Sequence, residues 1–292
     1  MSRYLVTGAG GQLGHDLRAV LTAAGRDVTA ATRAELDVTD PAKVRDLVEG
    51  HDVVLNAAAW TDVDGAEADE AGATAVNGTA VAALAAACAA AGARMVHVST
   101  DYVFAGDASE PYTEDAPTAP INAYGRSKLA GERAVLETLP GTGYVVRTAW
   151  LYGAHGGNFV RTMLRLARER DFVEVVDDQV GQPTWSRDLA ERLVALADAG
   201  APAGVYHGTA SGQTSWHGLA QAVFAAAGHD PARVRRTTSA AYVRPAKRPS
   251  YSVLGHGRWA AAGLEPMRPW HAMLTAALAD PAFAVHTAGD PR

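Results

Sequence analysis

Gly8-Ala9-Gly10-Gly11-Gln12-Leu13-Gly14 puts four glycines within seven residues, directly after an apolar segment, Tyr4-Leu5-Val6-Thr7, and directly before a helix-like one at 12–24. The G-x-x-G-x-x-G spacing alone is weak evidence. With 29 glycines in 292 residues it arises by chance roughly 0.3 times in a chain of this composition. Its position is what constrains the fold. A glycine-rich turn between a buried strand and a helix lets the backbone approach a pyrophosphate, which rests on the N–H groups and positive end of the helix. The bland alternative is a tight strand-to-helix turn with no ligand.

The following segments keep the same rhythm. Strand patterns are expected at 27–31, 36–38, 52–55, 94–98 and 144–147. Helices are expected from Pro41, at 73–91 and at 123–138, with a loop rich in Pro, Asp, Glu and Thr at 106–122. This alternation predicts an α/β fold: a doubly wound parallel sheet of the Rossmann type. Residues 1–150 are expected to form the NAD(P)-binding domain. Beyond Trp150 the rhythm loosens, with helices at 158–170 and 186–199 and a strand at 173–176, and 151–292 reads mainly as a smaller substrate-binding region. Residues 173–199 could return to the first layer, and the tail after Asp280 is expected to be loose.

Composition removes several function classes. The net charge of −6 offers no general attraction to nucleic acid or to an anionic membrane. Cys88 is the one cysteine, which excludes an internal disulfide and any multi-cysteine metal site. The alanine-rich run 80–91 is too short to span a bilayer, and the N-terminus enters a strand with no signal-like segment, so a cytoplasmic protein is expected.

Tyr124 and Lys128 stand four apart on a predicted helix and so share a face. An ammonium beside a phenol lowers the phenol's pKa, making a usable proton donor to a carbonyl under reduction. A surface helix pair would look the same, but here Ser99-Thr100-Asp101 ends the fifth strand nearby in the pattern. With Thr7-Gly8-x-x-Gly11-x-x-Gly14, Thr100 and Tyr124-x-x-x-Lys128 in place, the chain resembles the extended short-chain dehydrogenase/reductases. More narrowly, it resembles the dTDP-4-dehydrorhamnose reductases. The matching stretches include Leu36-Asp37-Val38-Thr39-Asp40, Asn56 to Asp64, Ser99 to Phe104, Tyr124 to Glu132, Arg147 to Gly153, Asp178 to Thr184 and Arg248 to Leu254.

The resemblance implies NADPH-dependent reduction, with NADH as a possible substitute, of the 4-keto group of dTDP-4-dehydro-6-deoxy-L-mannose to dTDP-L-rhamnose. It implies that Gly11, Gln12 and Leu13 hold the pyrophosphate, with Gly8 and Gly14 in the same cofactor-binding turn, that Asp37 and Val38 border the adenine, and that Ala59 and Thr61 line the cofactor channel. Thr100, Tyr124 and Lys128 would form the catalytic group, Lys128 also reaching the nicotinamide ribose, with Asp101 and Trp150 near the sugar. Rival readings are another dTDP-deoxysugar 4-ketoreductase and a non-catalytic regulatory subunit of the same fold; the intact Thr100, Tyr124 and Lys128 favour an enzyme. A homodimer is possible for such a chain. Some relatives use Mg²⁺ through acidic residues near the fingerprint, but His15 stands here instead of a carboxylate, so Mg²⁺ is doubtful and no metal ligand is assigned.

The remaining readings come from charge and pattern. Arg244, Lys247 and Arg248 form the densest late basic cluster, suited to a diphosphate, with Arg248 the expected anchor. The second strand ends at Thr32-Arg33 with no acid for a ribose 2′-hydroxyl, so Arg33 is expected at a 2′-phosphate, although Glu35 is close enough to compete. Asp62, Asp64, Glu67, Asp69 and Glu70 read as a solvated helix start, His97 as a satisfied core residue, and Cys88 as a small buried thiol.

Overall fold

A computed structural model of the chain describes residues 2–283. β1 (Arg3–Thr7) is buried through Tyr4, Leu5 and Val6, as a parallel strand covered on both faces must be. The chain then runs through α1 (Gln12–Ala23), β2 (Asp27–Ala31), α2 (Pro41–Val48) and β3 (Val53–Asn56). Asp40 caps α2 by accepting from the N–H groups of Ala42 and Lys43, and Pro41 fills the first helical position. Residues 36–38 are not a strand. Leu36 is buried, but Asp37 folds its carboxylate back onto Thr39, and that turn leads straight into the Asp40 cap.

After β3 come α3 (Val63–Ala68), α4 (Glu70–Thr74), a π-helical turn at Ala75–Thr79, α5 (Ala80–Ala91) and β4 (Arg94–Thr100). The expected helix at 73–91 therefore starts earlier and carries a π turn. Glu70–Ala91 forms one 22-residue helical stretch that contains an 18-residue window of mean hydropathy 1.5, long and apolar enough to cross a membrane, in contrast to the short run expected. It lies half buried in the molecule and packs between α2 and α6 (Ala123–Thr138).

β5 (Gly143–Thr148) and β6 (Leu151–Tyr152) follow, then α7 (Phe159–Glu169), β7 (Val173–Val176), β8 (Val180–Gly181), β9 (Thr184–Trp185) and α8 (Ser186–Asp198). The chain continues as β10 (Gly204–His207), β11 (Thr214–Ser215), α9 (Trp216–Ala226), β12 (Val234–Thr237), α10 (Gly257–Ala261) and α11 (Trp270–Ala279). The central sheet has six parallel strands in the order β10-β5-β4-β3-β1-β2. Strand order reverses beside β1, the switch point where such sheets open a crevice at their carboxyl ends. Its two faces bury separate cores: Tyr4 and Val6 with α1 and α8, Leu5 and Val54 with α2 and α5.

α8 packs on α1, and β10 adds the sheet's outer strand beside β5. Three two-stranded ladders, β8 with β11, β7 with β12 and β6 with β9, build the smaller region above the carboxyl ends. At the C-terminus Phe283 is buried, so the described part of the tail after Asp280 is not loose; the rest lies outside the described residues.

Candidate active site

The glycine turn is shaped by close approach. Gly8 has φ +68°, and a Cβ there would sit 2.6 Å from the Ala58 nitrogen; one on Gly14 would sit 2.2 Å from the Gly8 oxygen. These two glycines let the turn fold onto itself and onto the loop after β3. Gly10 is roomier, with its nearest atom, Thr32 Cγ2, 3.6 Å from a built Cβ. Gly11 is the N-cap of α1 and supplies no side-chain cap, so the first-turn N–H groups keep their capacity for an anion. Leu13 is buried in the core, and the Gln12 side chain accepts from Asn158 Nδ2 at 3.0 Å. A dinucleotide's pyrophosphate fits this turn through backbone donors.

At the end of β2, where the adenosine is expected, Glu35 is turned back: its Oε2 accepts from Thr32 N and Thr32 Oγ1, both at 2.8 Å, and these bonds hold its pKa down. Arg33 is exposed in the same turn and adds to the lowering of the Asp37 pKa, which comes first from the Thr39 hydrogen bonds. Val38 packs half-buried on the second core. The loop carrying Ala59 and Thr61 is held by Asn77, which accepts from Trp60 N at 2.9 Å and donates to Trp60 O and Ser127 Oγ, each at 3.0 Å. Asn77 sits wholly buried in the π turn, where the extra residue swings its amide toward that loop.

α6 carries Tyr124 and Lys128 on the face turned to the sheet. Asn122 caps it, accepting from Gly125 N at 2.8 Å, and glycines let it press close: a Cβ on Gly125 would meet Tyr102 O at 2.1 Å, and one on Gly131 would meet Asn77 O at 2.2 Å. Arg147 of β5 grips Glu132 from the other side, with buried contacts of 2.9 and 2.7 Å. Thr100, at the carboxyl end of β4, donates to Asp101 Oδ1 at 3.0 Å, while Asp101 Oδ2 is buried without a hydrogen-bond partner. Burial pushes the Asp101 carboxyl up to about 6, while the neighbouring Ser252 hydroxyl and the Thr100 hydrogen bond act the other way.

The phenol of Tyr124 lies edge-on to Tyr102 at 5.9 Å. Burial and then the Asp101 charge push its pKa up, with Thr100 beside it acting in the opposite sense. Lys128 does not figure among these influences, contrary to the tuning expected from the four-residue spacing. Its Nζ points into the sheet, donating to Val98 O at 2.7 Å and lying 3.5 Å from His97 Nε2. Burial lowers Lys128 to about 8, with Glu132 opposing.

Trp150, expected near the sugar, has φ +46°, the one positive φ outside glycine among the described residues. Its indole stacks on Trp216 at 3.7 Å, and Gly181 makes room for it, since a Cβ there would lie 2.6 Å from the ring. Trp216 had no signal in the sequence; only the fold brings it under Trp150. The basic cluster is not three unpaired cations. Arg248 Nη1 donates to Asp64 Oδ1 at 3.0 Å and Arg244 lies 3.5 Å from Asp64 Oδ2, while Lys247 is exposed. Burial raises the Asp64 pKa, but the Ala246 N–H, Arg248 and Arg244 bring it below its ordinary value.

The acidic run is accordingly less solvated than expected. Asp62 and Asp69 cap α3 and α4, but Glu67 accepts from Ala123 N at 2.8 Å and Glu70 pairs with Arg126 at 2.8 Å. No group of three or more His, Cys, Asp or Glu that could hold a metal occurs among the described residues. His15 stacks on His155 at 4.3 Å, and burial pushes the Cys88 thiol up to about 12.

A six-stranded parallel sheet with a glycine turn at its switch point, and a buried Tyr-x-x-x-Lys helix across from it, defines a dinucleotide-binding oxidoreductase fold. The chain belongs to the RmlD substrate binding domain family, whose model matches residues 2–282. It is 58% identical over 279 residues to a dTDP-4-dehydrorhamnose reductase of Streptomyces griseus, covering 94% of this chain and 92% of the relative. It is 52% identical over 277 residues to a dTDP-4-keto-6-deoxy-D-glucose reductase of Streptomyces niveus, covering 94% and 96%. The crystal structure of dTDP-4-dehydrorhamnose reductase from Bacillus anthracis in complex with NADP superposes with a TM-score of 0.92 at 36% identity, covering 95% and 99%.

Proposed function

We propose that this protein is an NADPH-dependent reductase of the 4-keto group of dTDP-4-dehydro-6-deoxy-L-mannose, giving dTDP-L-rhamnose. The observation that carries this reading is the approach of Tyr124 to Thr100 at the carboxyl end of β4, with Lys128 anchored on the same strand at Val98 and a glycine turn able to take a dinucleotide. The likeness to the Streptomyces griseus reductase supports the substrate. The bound cofactor supplies a hydride. Residues 1–150, with α8 and β10, carry the cofactor, and most of the remainder carries the sugar nucleotide.

In this reading Thr100 turns its hydroxyl from Asp101 to the substrate carbonyl. Tyr124, whose raised pKa keeps it a protonated phenol, gives its proton to the forming alkoxide. Asp101 Oδ2, buried without a partner, accepts from a sugar hydroxyl, and Trp150 supplies a flat wall for the hexose. Arg248 meets the diphosphate at the edge, its charge shared with Asp64. Gly8, Gly11, Gln12, Leu13 and Gly14 hold the pyrophosphate, Arg33 the 2′-phosphate, Asp37 and Val38 the adenine, and Ala59 and Thr61 the channel wall. The enzyme acts in the cytoplasm, as a monomer or a homodimer, without nucleic acid or membrane.

The second reading, a 4-ketoreductase of another dTDP-deoxysugar, is favoured by the 52% identity to the Streptomyces niveus reductase. Supplying the purified protein and NADPH with dTDP-4-dehydrorhamnose, or with dTDP-4-keto-6-deoxy-D-glucose, and identifying the products separates the two. The first reading expects dTDP-L-rhamnose with the higher kcat/KM; faster turnover of the second sugar would replace it, and no turnover of either would sink both.

A further inference from the structure

His97 is buried, yet its ring nitrogens are not those of an inert core residue. The register of the sheet puts Thr7, Asn56 and His97 in one row across β1, β3 and β4. The backbone N–H of Ala58 and the Thr7 hydroxyl both donate to Asn56 Oδ1, at 3.2 and 2.6 Å. A backbone N–H can only donate, so this contact identifies the carbonyl end of the Asn56 amide. The amide nitrogen therefore faces His97 Nδ1, at 2.9 Å, and donates to it. Burial and then the Lys128 charge hold the imidazole in its neutral form. A neutral ring whose Nδ1 accepts carries its hydrogen on Nε2. Nε2 lies 3.5 Å from Lys128 Nζ.

We propose that Asn56 and His97 are positioning residues that set the proton affinity of Lys128. The fixed Nε2–H confronts Nζ and can be accepted by a neutral amine but not by an ammonium. The consequence for turnover rests on Lys128 belonging to the active site as read above. The Val98 carbonyl, accepting from Nζ at 2.7 Å, keeps the amine in place in the charged state. Of the ionisable groups packed around α6, Glu132 favours the ammonium but is gripped by Arg147 from β5; Asp101 acts on Tyr124; Glu67 and Glu70 are engaged at Ala123 and Arg126. Burial by itself lowers Lys128 to about 8 against Glu132, and the Nε2–H facing Nζ acts in the same direction as burial.

Three lysines, Lys43, Lys128 and Lys247, make the test direct. The full chain labelled with ¹³C at the lysine ε-carbons is titrated by NMR, with Lys128→Met assigning the resonance. In the parent, Lys128 is expected to titrate near 8, well below the ordinary lysine value of ~10.4. His97→Asn keeps an acceptor for Asn56 but removes the Nε2–H, and Asn56→Asp reverses the imidazole tautomer. Each should raise the proton affinity of Lys128 about tenfold, one pH unit. A parent Lys128 that titrates at the ordinary lysine value, or one unmoved in both folded variants, overturns the proposal. So does ¹⁵N NMR showing the proton of His97 on Nδ1 in the parent, which needs no variant to fold. None of these readouts depends on turnover, so an inactive enzyme would sink the functional reading and leave this result standing.

Discussion

Asp101 is held where a carboxylate is expensive. Its folded pKa, about 6, lies above its ordinary 3.8, so the folded state binds the proton more tightly than the unfolded chain does. The stability tied to that proton is complete below about pH 4 and lost as pH rises toward 6, a cost on the order of 3 kcal/mol at neutral pH. Asp101→Asn should therefore melt higher than the parent at pH 8, with the difference shrinking toward pH 4. Thermal denaturation across that range reads it, and an advantage that does not change with pH would remove the charge-burial argument. At the other end of the site, the Glu35 carboxylate is occupied by Thr32 and Arg33 is the cation of the turn. NADPH is accordingly expected to exceed NADH in kcat/KM by roughly tenfold, about 1.4 kcal/mol, and Arg33→Ala should move the ratio toward NADH. A ratio unmoved by the substitution would place Arg33 outside the cofactor site.

Elements were legible in the sequence where the local pattern decides them. The alternation of strands with helices was visible for β1 to β5, α1, α2 and α6, because the central parallel strands carry continuous apolar runs, α2 and α6 start at their own capping residues, Asp40 and Asn122, and the glycine turn marks the start of α1. Residues 36–38 misled because Leu36 and Val38 bury apolar side chains as a strand would, while Asp37 closes a turn between them. The π turn at Ala75–Thr79 had no signal in an alanine-rich background, and with it Asn77 was missed. Trp216 was missed because stacking across two distant segments leaves no trace in either. Its role is testable. Trp216→Ala removes the surface under Trp150, an aromatic contact worth about 1 kcal/mol. The KM for the sugar nucleotide should rise about fivefold with circular dichroism unchanged, and Trp216→Phe should recover most of the loss. An unaltered KM in the alanine variant would mean that Trp150 needs no support.

At the scale of the whole molecule, the sheet's carboxyl ends and the smaller region close on one another through Asp64, which joins α3 to the 244–248 segment. The basic cluster was visible as composition, but its ion partner was not, because Arg248 and Asp64 lie 184 residues apart in the chain. Arg248→Ala should raise the KM for the sugar nucleotide about tenfold while kcat stays within about threefold, the pattern of lost binding to a remote diphosphate. An equal fall in kcat and kcat/KM would instead tie Arg248 to the chemical step.

The central claim is that the phenol of Tyr124 delivers the proton to the substrate. It is tested most directly by comparing NADPH oxidation with dTDP-4-dehydrorhamnose by the parent and by Tyr124→Phe, with NADPH affinity measured for both. The expected result is a fall in kcat of about 10²-fold or more with cofactor affinity nearly unchanged. A variant turning over within about threefold of the parent would contradict it.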